Sequence, residues 1–342
     1  MNPKISVLMP AFNASNFVSQ AINSVLNQTF FDFELIIIDD ASTDNTWNLI
    51  SAYDDTRIRK YRNTHNQGIS STRNALIELA KGQYIAWLDA DDLSAVNRLE
   101  VQFNFLENNM DYVFIGTSAL VLDVDGQYKG EWVFVNDCEY LKIGLMFKNQ
   151  FVQSSIMVRS DIIKKVKYDI SAQPVEDFLM WYRLTKYGKA TNLKECLVSY
   201  RIHSSGATLS RFEFNERGVA YVLRCILEDI DFDFSETEFL IHHSFSFPGH
   251  FTLHRTRFSD VLNWMKKIEE VLIQKRISDR VSVTKYISKE LIKILPCFGR
   301  FDILRTLPVF LFYYGIRIDS ISKLKQVFHR AFIRPRIPVN AT

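Results

Sequence analysis

Cysteine and glycine are both scarce in this 342-residue chain, and their placement excludes more than their number does. The four cysteines, Cys138, Cys196, Cys225 and Cys297, lie far apart with no Cys-x-x-Cys pair. That pattern suits neither a disulfide framework nor a zinc site. Among the 12 glycines no two are separated by a single residue, so the Gly-x-Gly-x-x-Gly turn of dinucleotide-binding proteins is absent. No Gly-Lys-Ser or Gly-Lys-Thr occurs, which removes the P-loop as well. A nucleotide bound here must hold its phosphates by means other than a glycine-rich turn. Long apolar runs are missing too. In the last hundred residues the longest charge-free apolar stretch, 306–316, has 11 residues, whereas a spanning helix needs roughly 20. The opening residues, MNPKISVLMPAF, lack the basic start and apolar run of a signal peptide. A cytoplasmic globular protein is expected.

A hydrophobic content of 47% is ample for a core, enough for one large domain or two ordinary ones. A charged content of 23% with mean hydropathy of -0.06 excludes a disordered chain. The net charge of +2 conceals an asymmetry. Residues 251–342 hold 18 Lys+Arg against 7 Asp+Glu, and residues 1–250 hold 23 against 32. An acidic front joined to a basic tail suggests two parts with different partners. We place them at 1–210 and 211–342.

The front part alternates strands and helices. Residues 5–9 form an apolar run ended by Pro10, and Ser15 offers an N-cap to a helix carrying Phe17, Val18, Ala21, Ile22, Val25 and Leu26 at helical spacing. Strands over 33–38, 58–61 and 84–88 alternate with helices over 43–52 and 69–80, and a further helix starts near Val96. This order predicts an α/β fold, a mainly parallel sheet with helices on both faces, followed by a mostly helical tail. In such sheets ligands bind beyond the carboxyl ends of the strands. Pro10-Ala11-Phe12-Asn13, Asp39-Asp40 and Asp89-Ala90-Asp91-Asp92 all follow strands, so all should face one crevice. Asp89 and Asp91 leave an extended segment on the same side, and their carboxylates suit a hard divalent cation, Mg²⁺ or Mn²⁺. Few protein ligands would leave coordination positions for the phosphate oxygens of a nucleotide.

The segments ISVLMPAFN, ELIIIDDASTDNT, NQGISSTRN, AWLDADD and VEDFLMWYRL occur in this order between Ile5 and His203. Together they resemble family 2 glycosyltransferases of the GT-A fold, of the type that builds bacterial cell-surface polysaccharide and lipopolysaccharide. The resemblance implies that Pro10, Ala11, Phe12 and Asn13 line a nucleoside pocket, with Phe12 against the base. Asp40 would accept a hydrogen bond from uracil, with Asp39 supporting the loop. Asn66, Gly68 and Arg73 match the segment that approaches ribose and diphosphate, the alternative for Arg73 being a surface salt bridge. Asp91 would be the direct metal ligand of a DxD pair, with Asp89 nearer the ribose or sugar and Asp92 in support. Asp177 matches the family's base and Glu176 is the fallback. Trp181 would offer an apolar face to the acceptor or pack in the core. His203 would approach the metal or diphosphate, or lie in a surface loop.

One base and no carboxylate nucleophile imply direct displacement with inversion. The partners implied are a UDP-sugar carrying a hexose or N-acetylhexosamine, and a glycan acceptor that is lipid-linked. In the tail, residues 320–334 place Ile321, Leu324, Val327, Phe328 and Ile333 on one side and four basic residues elsewhere. Such a helix suits peripheral contact with an anionic membrane, or packing on the catalytic domain. Two other classes fit less well. A sugar nucleotidyltransferase would carry a glycine- and arginine-rich loop after Met9, and an inactive nucleotide-sugar-binding scaffold would have lost one of Asp40, Asp91 and Asp177. No nucleic-acid-binding motif accompanies the basic tail.

Overall fold

A computed structural model gives the fold, and the structure describes residues 2–203, 212–246 and 256–298. These divide into two compact units that meet in sequence at Leu227 and Glu228.

The first unit begins with three strand–helix repeats: β1 (Ile5–Ala11), α1 (Val18–Leu26), β2 (Phe33–Asp39), α2 (Thr46–Ser51), β3 (Ile58–Arg62) and α3 (Ile69–Leu79). Then come β4 (Tyr84–Trp87), β5 (Leu93–Ser94), α4 (Arg98–Asn108), β6 (Tyr112–Leu122), β7 (Tyr128–Trp132), α5 (Cys138–Gly144), β8 (Met157–Arg159), α6 (Ser160–Val166), α7 (Glu176–Leu184) and β9 (Lys189–Arg201). The nine strands form one mixed sheet in the order β3-β2-β1-β4-β8-β6-β9-β5, with β7 on β6. Strands β1 and β2 are buried along their whole length, as expected of strands covered on both faces. Strand β8 runs antiparallel to both β4 and β6, and β9 is parallel to β6. Strands β1, β2, β3, β4, β6 and β9 therefore all point the same way. Their carboxyl ends, at Ala11, Asp39, Arg62, Trp87, Leu122 and Arg201, open on one edge of the sheet.

Several boundaries differ from the sequence reading for physical reasons. Strand β1 continues through Pro10 to Ala11, because its pairing with β4 stops at Leu8 and the absent N–H of proline costs no ladder bond. Ser15 does not cap α1. The N-cap position belongs to Phe17 without a side-chain cap, and the Ser15 N–H donates to Asp44 Oδ2 at 3.0 Å. That bond is one of several tying the β1–α1 loop to the β2–α2 loop. Asn13 N–H donates to Ser42 Oγ at 2.9 Å, Thr43 N–H to Asn13 Oδ1 at 2.9 Å, and Ala14 N–H to Thr46 Oγ1 at 2.8 Å.

The second unit is helical where it is described. A capping box between Ser235 and Glu238 starts the helix Glu236–Ser244. The helices Phe258–Gln274 and Arg280–Ile294 bury Trp264, Met265, Tyr286 and Leu291. Among the described residues no helix is long and apolar enough to cross a membrane. The amphipathic segment 320–334 lies outside the described residues.

Candidate active site

The carboxyl edge gathers the residues singled out from the sequence, and one buried arginine organises them. Arg73 leaves the first turns of α3 and lies against the adjoining rings of Trp87 and Tyr168, 6.0 and 5.6 Å from their centroids. One Nη2 donates to both oxygens of Asp89, at 3.0 and 3.2 Å. The other, Nη1, donates to Glu176 Oε1, at the start of α7. Burial disfavours the guanidinium charge, but the carboxylates of Asp89 and Glu176 outweigh it and hold the arginine above its ordinary pKa. The surface salt bridge is thus excluded. Arg73 is a buried clamp joining the end of β4 to the start of α7.

Glu176 is almost wholly buried, and its Oε2 has no partner among the described residues. Burial pushes its carboxyl up to about 7, with Arg73 pulling the other way. Asp177 stands beside it and is half-buried. Its Oδ2 accepts from Asn149 Nδ2 at 2.8 Å and its Oδ1 from Phe178 N–H at 2.8 Å. Burial raises the Asp177 carboxyl, against the effects of Arg73 and Asn149.

The acidic segment after β4 holds three carboxylates in three environments. Asp89 faces Arg73, and burial raises its pKa. Asp91 is the most open, and its Oδ2 lies 3.0 Å from His203 Nε2. Asp92 is sealed inside, accepting from Ser154 Oγ at 2.5 Å and from Arg201 N–H at 2.9 Å. Burial and the neighbouring Asp91 push its pKa well up. Asp92 is therefore a structural knot, while Asp91 is partly open and pairs with His203, whose ring is largely covered by Phe17. Arg201 supports both. Its Nε donates to the Asp91 carbonyl at 3.0 Å and its guanidinium lies 4.9 Å from the Phe17 ring, which in turn lies 4.8 Å from His203.

Pro10 and Ala11 are buried in β1, whereas Phe12 is 49% exposed and leaves its ring available at the edge. Asp39 is fully buried, held by Ser42 N–H at 3.2 Å and Arg62 at 3.1 Å. Asp40 organises the next loop, with Oδ1 accepting from Asn63 Nδ2 and Gln67 N–H at 2.7 and 2.9 Å and Oδ2 from Gly68 N–H at 3.0 Å. One acceptor position remains on Oδ2. Asn66 is exposed, and its Oδ1 also accepts from Gly68 N–H. Gly68 has φ +85°, and a Cβ there would meet the Gln173 amide at 3.1 Å. No other residue fits that turn without strain.

Trp181 requires a correction. It is completely buried, 5.5 Å from the Phe114 ring and 6.4 Å from that of Tyr168, so it offers no face to an acceptor. Nothing in the sequence around Asn149 and Ser154 marks them as site residues, and the sequence marks Phe17 only as an apolar position of the first helix. Arg201, two residues before His203, has no role in the sequence reading.

Solved structures share this fold. Staphylococcus aureus TarS 1–349 in complex with UDP-GlcNAc matches with a TM-score of 0.56 at 16% identity, covering 86% of this chain and 90% of that one. The mannosyltransferase PcManGT from Pyrobaculum calidifontis, in complex with GDP-Man and Mn²⁺, matches with a TM-score of 0.53 at 12% identity, covering 92% and 87%. Fold and site together define a glycosyltransferase of the GT-A type. The model of glycosyl transferase family 2 matches residues 6–166. An uncharacterised glycosyltransferase, MJ1057 of Methanocaldococcus jannaschii, is 33% identical over 233 residues, 65% of this chain and 79% of the relative. WfaP of Escherichia coli, a UDP-Glc:α-D-GlcNAc-diphosphoundecaprenol β-1,3-glucosyltransferase, is 29% identical over 211 residues, 61% of this chain and 81% of its own. The chain belongs to glycosyl transferase family 2.

Proposed function

We propose that this glycosyltransferase is inverting and metal-dependent, moving a hexose or N-acetylhexosamine from a UDP-sugar to a hydroxyl of a lipid-linked glycan in cell-surface polysaccharide synthesis. The observation that carries the reading is the Arg73 clamp, which ties Asp89 of the donor-side loop to Glu176, next to Asp177. The UDP-Glc and diphosphoundecaprenol in the name of WfaP, and the UDP-GlcNAc bound by TarS, support the donor and acceptor classes.

The chemistry follows from these residues. The acceptor oxygen forms a bond to the anomeric carbon while the bond from that carbon to the β-phosphate oxygen breaks, its electron pair leaving with UDP. Asp177 takes the acceptor proton, a contribution on the order of 10²–10⁴-fold. Burial makes its carboxylate a stronger base than an exposed aspartate, and Asn149 fixes its orientation. Glu176 stays on Arg73 and acts through it, so Asp177 is the base. Phe12 lies against the base of UDP, and Asp40 holds the loop that carries Asn66 and Gly68.

Asp91 and His203 set a carboxylate and an imidazole 3.0 Å apart; the carboxylate suits either Mn²⁺ or Mg²⁺, and the imidazole nitrogen favours Mn²⁺, a transition-metal ion. Asp89, with both oxygens on Arg73, is held back from that role. Among the described residues no third His, Cys, Asp or Glu joins the pair. A bound divalent cation would neutralise charge developing on the departing diphosphate. The basic tail, through 320–334, would keep the enzyme on the cytoplasmic face of an anionic membrane.

A screen for UDP release across UDP-sugars, with and without Mn²⁺, tests the reading. One or two donors should be hydrolysed in preference. Asp177→Asn should keep UDP binding and lose transfer, and full activity in that variant would sink the assignment.

A further inference from the structure

With Trp181 in the core, the aromatic surface of this site lies elsewhere. Trp132 of β7 and Tyr200 of β9 approach to 4.8 Å between ring centroids, tilted by 34°. Cross-strand partners share a face, and the register makes the pair possible. Trp132 lies opposite Ala119 on β6, while Val121, two residues on, lies between Gly130 of β7 and Tyr200 of β9. Small side chains thus leave the two rings room to meet diagonally. Ala119, Val152 and Val198 form a small buried cluster against which Tyr200 and Phe134 pack. Trp132 is 38% exposed, a large apolar ring in the open. Gly130 has φ +145°, and among the described residues nothing lies within 4 Å of where its Cβ would be, which leaves the sheet surface beside the rings open.

The platform is continuous with the candidate active site through a short segment. Asn149 holds Asp177, Val152 supports the platform, and Ser154 donates to Asp92 and accepts from Asp89 N–H. Six residues, 149–154, therefore join the base, the platform and the acidic loop. Tyr200 also directly precedes Arg201, which holds the Asp91 loop. An exposed indole with a phenol beside it and open backbone next to both is a surface for the C–H face of a pyranose ring, apolar across its face and polar at its rim.

We infer that Trp132 and Tyr200, with the bare backbone at Gly130, form the subsite that seats a sugar ring of the glycan acceptor. The inference rests on the glycosyltransferase reading and adds to it which surface recognises the acceptor.

Saturation-transfer NMR on the full chain with UDP and Mn²⁺ tests it, the probes being methyl glycosides of glucose, galactose, N-acetylglucosamine, N-acetylgalactosamine and mannose. At least one glycoside should receive saturation. Trp132→Ala should weaken that binding about tenfold, while Trp132→Phe retains most of it. Tyr187→Ala, an exposed tyrosine at the other end of β9, should leave it unchanged. If Trp132→Ala does not fold, Tyr200→Ala reads the same loss. No signal from any glycoside with the wild type overturns the subsite, as does an undiminished signal in the alanine variant. UDP binding and UDP-sugar turnover of the wild type, measured alongside, tell the two failures apart. Turnover with no effect at Trp132 removes only the platform, whereas no UDP binding removes the underlying reading.

Discussion

Replacing Glu176 by glutamine keeps the shape of the side chain and removes its titration. Burial raises the Glu176 carboxyl from an ordinary 4.5 to about 7, against the pull of Arg73. Between those values the folded protein holds a proton that the unfolded chain has released. By linkage, stability falls with rising pH wherever the native state binds more protons. The contribution of the protonated carboxyl is therefore fully present below pH 4.5 and is lost as pH rises through about 7. At about 1.4 kcal/mol for each pH unit, ionising Glu176 in place costs the wild type about 3 kcal/mol. Glutamine cannot ionise, so the stability of Glu176→Gln relative to the wild type should improve by about 3 kcal/mol from about pH 4.5 to about pH 8. Urea unfolding at several pH values measures this, followed by tryptophan emission from Trp87 and Trp181, both buried beside the clamp. Taking the difference between the two proteins cancels most of the titration of Asp89 and Asp177. A difference independent of pH refutes the reasoning. A difference of opposite sign would mean that Arg73 outweighs burial and holds the carboxyl low.

Two further outcomes follow from the same geometry. Asn149 donates to Asp177 at 2.8 Å and favours its ionised form, so Asn149→Ala should move the acid limb of the kcat–pH profile to higher pH. An unmoved or lowered limb would separate Asn149 from the base. Asp91→Asn combined with His203→Ala should remove the Mn²⁺ dependence of UDP affinity, weakening metal-supported binding by about 10–100-fold. Calorimetry with Mn²⁺ and after EDTA treatment checks this, and equal affinities in variant and wild type would place the cation elsewhere.

Strand–helix alternation and the polar residues behind each strand make the crevice legible in the sequence. The reason is local. Strand length, apolar runs and turn residues are encoded over a few positions, and a parallel sheet brings its carboxyl ends to one edge whatever the side chains between. The same logic fails for side chains that meet across the chain. Arg73 and Glu176 are 103 residues apart, and Ser154 lies 62 from the Asp92 it holds. Nothing in the neighbourhood of Asn149 distinguishes an asparagine that orients a base from one on any loop. Local cues also misled at Ser15, a good cap by residue type that its loop spends on Asp44 instead.

The two tryptophans draw the boundary most clearly. By sequence, Trp181 follows a motif at helical spacing and Trp132 follows nothing, yet Trp181 is buried against Phe114 while Trp132 stands open beside Tyr200. Helical periodicity can say that Trp181 shares a face with Leu184, but not which face of α7 meets the sheet. Strand register across β7, β6 and β9 alone sets Trp132 against Tyr200. The sequence by itself determined the α/β order, the crevice and the acidic residues that line it, because each is written within a single strand and its following turn. Which carboxylate is clamped, which is sealed and which is open was decided only by tertiary structure, because burial and charge pairing arise from chain segments that become neighbours on folding.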